Sequence, residues 1–175
     1  MKLRWTLFAL LLLQLVGCSS VYNVVKKTGQ VIWDPSIAIG EPEQRPATMT
    51  LSLVADELLN PNLSGDSTPV AFQIFQLKDD SKFLAADYDS LIADPEAALA
   101  KNYIDHDDYA LNPGQFKFIE AFELDEDTLY IAVMAMYTDP EKVQWKKIEK
   151  LTGRNTDFHI LVQLREFDVK LQRVE

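Results

Sequence analysis

From Met49 onward, apolar and polar residues alternate again and again, and side chains that change face at every residue belong on strands rather than on one stripe of a helix. Met49, Leu51 and Leu53 fall on one side while Thr48, Thr50 and Ser52 fall on the other. Residues 70–77 repeat the pattern, with Val70, Phe72 and Ile74 facing one way. Further strands are predicted over residues 116–122, 129–137, 144–151, 158–164 and 167–174, with a short one at 109–111. Phe167, Val169 and Leu171 alternate against charged neighbours in the last of these. Residues 129–137 are apolar on both faces, which predicts a central strand covered on both sides. Turn chemistry separates the runs at Asn112-Pro113-Gly114, Thr138-Asp139-Pro140 and Gly153-Arg154-Asn155. The pattern predicts a mainly β fold, an antiparallel β-sandwich of seven or eight strands.

One insertion interrupts the strands, at about residues 80–102. Asp94-Pro95-Glu96 supplies an N-cap, a proline at the first helical position and a carboxylate in the first turn. Ala98, Leu99 and Tyr103 continue an apolar stripe, and Phe83, Tyr88 and Leu91 suggest a short helix before it. This helical pair is expected to cover an open end of the sandwich.

The chain begins with Lys2 and Arg4, an apolar run over residues 7–16, and Leu15-Val16-Gly17-Cys18. That order is the order of an export signal, and the run is too short for a helix crossing hydrocarbon, which needs about 20 apolar residues. The last four residues resemble the bacterial lipobox. The resemblance implies cleavage before Cys18, a diacylglyceryl group on its sulfur and an acylated amine. Several acyl chains hold stably where one holds only marginally. Ser19 stands where an Asp would retain such a protein in the inner membrane, so the inner leaflet of a Gram-negative outer membrane is implied.

Three segments are therefore expected: a signal peptide at 1–17, a lipidated tether at 18–47 and a sandwich domain at 48–175. Cleavage of the first 17 of 175 residues leaves 158, enough for one core. It also removes Lys2 and Arg4 and moves the net charge from −10 to −12. A chain so acidic lacks the positive face that nucleic-acid binding needs, and membrane attachment is left to the lipid on Cys18. Val31, Ile32, Trp33, Ile37 and Ile39 make the tether apolar enough to predict a brace or edge strand along the sandwich, with Trp33 as an alternative partner or interface contact.

No catalytic constellation emerges. Cys18 is the only cysteine, which excludes a Cys/His mechanism in the mature core, and no Gly-x-Ser-x-Gly, phosphate cradle or His-Glu-x-x-His occurs. Asp105-His106-Asp107-Asp108 matches no calcium loop and reads as a solvated acidic turn. His159 reads as a histidine filling a strand face. The chain is read as neither an enzyme nor a binder of metal or cofactor.

The segment with most positive information is residues 56–69, an oversized connection between two strands that carries Leu58, Leu59 and Leu63 among turn formers. Its leucines either fold back onto the core or meet something else. Asn60 and Pro61 should set its shape.

Asn60-Pro61-Asn62, Pro69-Val70, Ile74-Phe75-Gln76-Leu77, Phe83, Asp87-Tyr88-Asp89-Ser90-Leu91, Pro113-Gly114, residues 130–137 and Trp145 together resemble the type VI secretion lipoprotein family, TssJ (SciN), over residues 33–171. Phe75 departs from an expected Tyr, and Lys146 from a common Arg. The resemblance implies a transthyretin-type sandwich with an added helical piece. It implies a lipoprotein on the outer membrane that binds the periplasmic C-terminal domain of TssM, with TssL completing the complex. The family's contact in the loop between the first two strands falls here on Leu58, Leu59, Asn60, Pro61, Asn62 and Leu63. Leu58, Leu59 and Leu63 would fill partner pockets, and deleting residues 58–63 should weaken TssM binding with little loss of stability. Two alternatives stand beside this reading. One is a lipoprotein holding a small apolar ligand in a cavity lined by Phe72, Ile74, Phe118 and Met134; the other is an immunity or inhibitor lipoprotein with an acidic surface.

Overall fold

The computed structural model describes residues 46–153 and 156–174. Cys18, the signal segment, Trp33 and nearly all of the tether lie outside the described residues. Among the described residues eight strands form: β1 (Thr48–Ala55), β2 (Val70–Leu77), β3 (Tyr103–Leu111), β4 (Phe116–Glu123), β5 (Tyr130–Met136), β6 (Lys146–Lys150), β7 (Asp157–Leu164) and β8 (Val169–Val174). They make two four-stranded sheets, in the orders β4-β1-β7-β8 and β3-β2-β5-β6.

The alternation legible from Met49 onward becomes the buried and half-buried alternation of β1. Met49, Leu51 and Leu53 face Phe158, Ile160, Val162 and Leu164 of β7 within the inner layer of the first sheet. Val70, Phe72 and Ile74 of β2 and Ile131, Val133 and Ala135 of β5 close the core from the second sheet. Burying each large apolar side chain stabilises the fold by about 1.5–3 kcal/mol. One pairing departs from the all-antiparallel expectation: β1 and β7 run parallel, with Leu51 opposite Ile160 and Leu53 opposite Val162. Their inward residues match in either direction, so direction follows from the path of the chain between them and not from local pattern.

The other side of the second sheet is also apolar. Phe75 and Leu77 of β2 and Ala132 and Met134 of β5 point away from the core and are covered by Phe83, Leu91 and Leu99. Those three come from helices α1 (Ser81–Ala85), α2 (Tyr88–Ala93) and α3 (Pro95–Leu99), followed by a 3-10 turn at Ala100–Asn102. The insertion therefore covers a sheet face, not an open end, and consists of three short helices instead of two. The physical reason lies in β2 and β5: strands apolar on both faces need a layer on each side. The cap read at Asp94 is present, its carboxylate accepting from the Ala97 amide at 3.0 Å, and Asp87 caps α2 through the Ser90 amide at 2.8 Å.

Helix α1 ends on a cation. Lys146 Nζ donates to the carbonyls of Phe83, Leu84 and Ala86 at 2.8, 2.9 and 2.7 Å. Three convergent acceptors match the three donors of an ammonium at the negative end of a helix. Loss of water around it lowers the Lys146 pKa, a fall that the carboxylate of Asp87 opposes.

Residues 105–108 do not form a turn but lie within β3, which runs nine residues where the sequence predicts only 109–111. An edge strand tolerates charges on the side it turns to water. His106 packs its ring against Phe75 and receives or donates a hydrogen bond with the Tyr103 hydroxyl at 2.8 Å. His159 does fill a strand face, its ring nitrogens 3.1 Å from Thr50 Oγ1 and 2.9 Å from Ser52 Oγ. The apolar-ligand cavity is not formed by the four residues assigned to it. Phe72 and Ile74 belong to the central core, Met134 faces the helices, and Phe118 is half exposed on the edge strand β4.

Candidate functional site

The end of the sandwich where β1 passes into β2 is tightly cross-linked. Asp56 donates its amide to the Leu164 carbonyl and accepts the Gly114 amide on its own carbonyl, at 2.9 and 3.1 Å. Its carboxylate accepts from Gln163 Nε2 at 2.8 Å and lies 3.8 Å from Arg165 Nε. The loop thus leaves the sheet from a fixed root.

Asn60 shapes the loop beyond that root. Its φ of 45° lies in the left-handed region that asparagine tolerates better than most residues. Its side-chain oxygen accepts the Thr138 amide at 2.8 Å, and its Nδ2 donates to Thr68 Oγ1 at 2.7 Å. The Thr68 hydroxyl in turn donates to the Asn60 carbonyl at 2.6 Å, and the Thr68 amide to the Leu59 carbonyl at 3.0 Å. Further along, Asn62 Oδ1 accepts the amides of Ser64 and Asp66 at 2.8 and 3.0 Å. Gly65 adopts φ 86° there, a conformation glycine takes without cost from a Cβ.

The leucines divide. Leu58 is 65% exposed and Leu63 is fully exposed, while Leu59 is completely buried and packs into the central core. Leu59 therefore does not present itself to a partner in this structure, and the expectation that residues 58–63 could be deleted at little cost to stability is corrected. Such a deletion would remove both the core residue Leu59 and the shape-giving Asn60.

Sequence reasoning missed a neighbour. The alternation predicts Phe167 on the last strand, but β8 begins at Val169, and the Arg165 amide donates to the Asp168 carbonyl at 2.9 Å to make a turn. Phe167 is 55% exposed on that turn and, with Leu58, lines a shallow cleft that Asp56, Gly114 and Arg165 also border. The Glu166 and Asp168 flanks were the available signal, since two acids beside an aromatic suit a turn better than a strand. The turn is held from below by Tyr137, whose hydroxyl lies 2.9 Å from the Arg165 carbonyl and 2.8 Å from that of Asp168. Burial pushes the Tyr137 phenol well above its ordinary pKa. Among the described residues no group of three or more His, Asp or Glu side chains is gathered as metal ligands.

A helix-backed two-sheet sandwich that presents exposed leucines on a preshaped end loop defines a β-sandwich scaffold, with its distinctive chemistry at one tip. The sequence model of the type VI secretion lipoprotein family (VasD, EvfM, TssJ) matches residues 47–167, and the chain belongs to that family. The T6SS lipoprotein TssJ1 from Pseudomonas aeruginosa is 26% identical, with a TM-score of 0.70 over 75% of this chain and 98% of that one. A chain of a type VI membrane complex is 27% identical at TM-score 0.64, covering 73% of this chain and 99% of that one. A chain in the structure of the T6SS protein TssM C-terminal domain from EAEC is 25% identical at TM-score 0.59, covering 73% and 98%. No curated protein matches the chain.

Proposed function

We propose that this lipoprotein, acylated at Cys18, holds one end of the type VI membrane complex to the inner leaflet of the outer membrane by binding the periplasmic C-terminal domain of TssM, with TssL in the same complex. It forms and breaks no bonds of its own. The observation that carries the reading is the pair Leu58 and Leu63, exposed on a loop that Asn60 and Asn62 already hold in shape. Apolar groups on an ordered loop lose little further entropy on binding, and a few such residues dominate an interface. Pro61 and Asn62 complete the contact. Leu59 acts from beneath as the loop's attachment to the core, and Phe167 extends the apolar surface across the cleft. Similarity to chains in a type VI membrane complex and in a TssM structure supports this choice of partner.

The cellular test uses two variants. Cys18→Ser should release a folded protein into the periplasm and abolish secretion. L58D/L63D should remain membrane-bound and folded yet fail to secrete. Normal secretion by the first removes the anchoring role, and normal secretion by the second removes the tip.

A further inference from the structure

Among the described residues, the edge strands on the two sides of the sandwich carry opposite charge. The sheet orders put β3 and β4 at one end of each sheet and β6 and β8 at the other. Lys117 on β4, its ammonium 5.5 Å from the Tyr109 ring on β3, ties the first side together. On the second, the Gln144 amide donates to the Phe167 carbonyl at 2.9 Å and the Gln144 carbonyl accepts the Val169 amide at 3.0 Å, which joins the start of β6 to β8. The β3 and β4 side bears Asp105, Asp107, Asp108, Glu120 and Glu123 against Lys117 alone. Strands β6 and β8 themselves bear Lys146, Lys147, Lys150, Lys170 and Arg173 against Glu149, with Asp168 just before β8. In a chain of net charge −10, five bases to one acid within two strands is a strong segregation.

Charged edge strands ordinarily protect a sheet, because like charges on every open edge repel a second copy. Opposite signs on the two sides defeat that protection: the acidic side of one molecule attracts the basic side of the next. Part of the charge is committed internally. Lys146 is bound to carbonyls, Lys150 and Arg173 lie over the rings of Tyr130 and Phe158, and Asp108 accepts from Gln73. Asp105 accepts the His106 amide at 2.9 Å and Asp107 accepts from the Tyr109 hydroxyl, but neither they nor Lys147 and Lys170 make a salt bridge among the described residues.

We propose that copies of this chain associate side by side, head to tail, with the β3 and β4 side of one against the β6 and β8 side of its neighbour. Lys147 and Lys170 meet Asp105 and Asp107 across the contact. The contact is heterologous, so it propagates into a ring or a row of copies. It leaves the tip carrying Leu58 and Leu63 uncovered in every copy. At physiological salt the screening length is about 8 Å, so the attraction acts only between copies already side by side, as molecules confined to one surface would be.

The test treats the full chain, in neutral detergent and as an equal mixture of isotopically heavy and light protein, with a carbodiimide that joins carboxylate directly to amine. Mixed-isotope links between Asp105 or Asp107 and Lys147 or Lys170 are expected, fading as salt rises from about 0.05 M to about 0.5 M. K147E/K170E alone and D105K/D107K alone should each lose them. Mixing those two variants should restore association between unlike molecules, which misfolding could not produce. Absence of mixed-isotope links, or persistence of the links after either reversal, would overturn the proposal.

Discussion

The side-chain oxygen of Asn60 accepts the backbone amide of Thr138 at 2.8 Å, across 78 residues of sequence, and so ties the β1–β2 loop to the turn after β5. Substitution separates its two contributions. Asn60→Ala loses the hydrogen bonds and also places a Cβ-bearing residue without a polar side chain at φ 45°. Lost hydrogen bonds of this kind cost about 1–3 kcal/mol, and the left-handed conformation about 1–2 kcal/mol more. Asn60→Gly should suffer only the first loss, so denaturant melts should rank wild type above Asn60→Gly and Asn60→Ala last.

The divided leucines give a second comparison. Leu59→Ala opens a cavity in the core and should destabilise by about 2–5 kcal/mol. Leu58→Ala and Leu63→Ala, on exposed side chains, should stay within about 0.5 kcal/mol of wild type. Equilibrium unfolding of the three proteins checks the division.

Lys146→Met keeps the bulk of the side chain and removes the charge that gathers three carbonyls at the end of α1. A loss of about 1.5–3 kcal/mol is expected. Amide exchange should accelerate through α1 before it does in β2 or β5.

Tyr109 predicts an alkaline limit. Burial, and after it the nearby Asp107 carboxylate, push its phenol from 10.0 up to about 12. The folded chain thus holds that proton where the unfolded chain has lost it. The contribution is full below about pH 10 and is lost as pH climbs through about 12. Phenolate absorbance should show the late titration, and Tyr109→Phe should flatten the fall in stability across that window.

The features legible in the sequence had a local cause. β1 announced itself through alternation, α3 through Asp94 and Pro95, and the need to cover β5 through apolar residues on both its faces. The hidden features depended on relations between distant segments. The parallel pairing of β1 with β7 leaves no mark on either strand, and β3 carried charges that only an edge position explains. The loop has no period that distinguishes Leu58 from Leu59. The turn at Asn60 decides which of them points inward, and its partner Thr138 lies on another loop. Phe167 fitted an alternation that the Arg165–Asp168 turn interrupts.

Titration of the TssM periplasmic domain onto the full chain and onto its L58A/L63A variant, with thermal unfolding of both recorded alongside, tests the central claim most directly. Leucines seated in partner pockets contribute about 1.5–3 kcal/mol each, so removing both should lower affinity by about a hundredfold or more with no change in unfolding temperature. Equal affinity for the two proteins would contradict the account and place the contact elsewhere on the molecule.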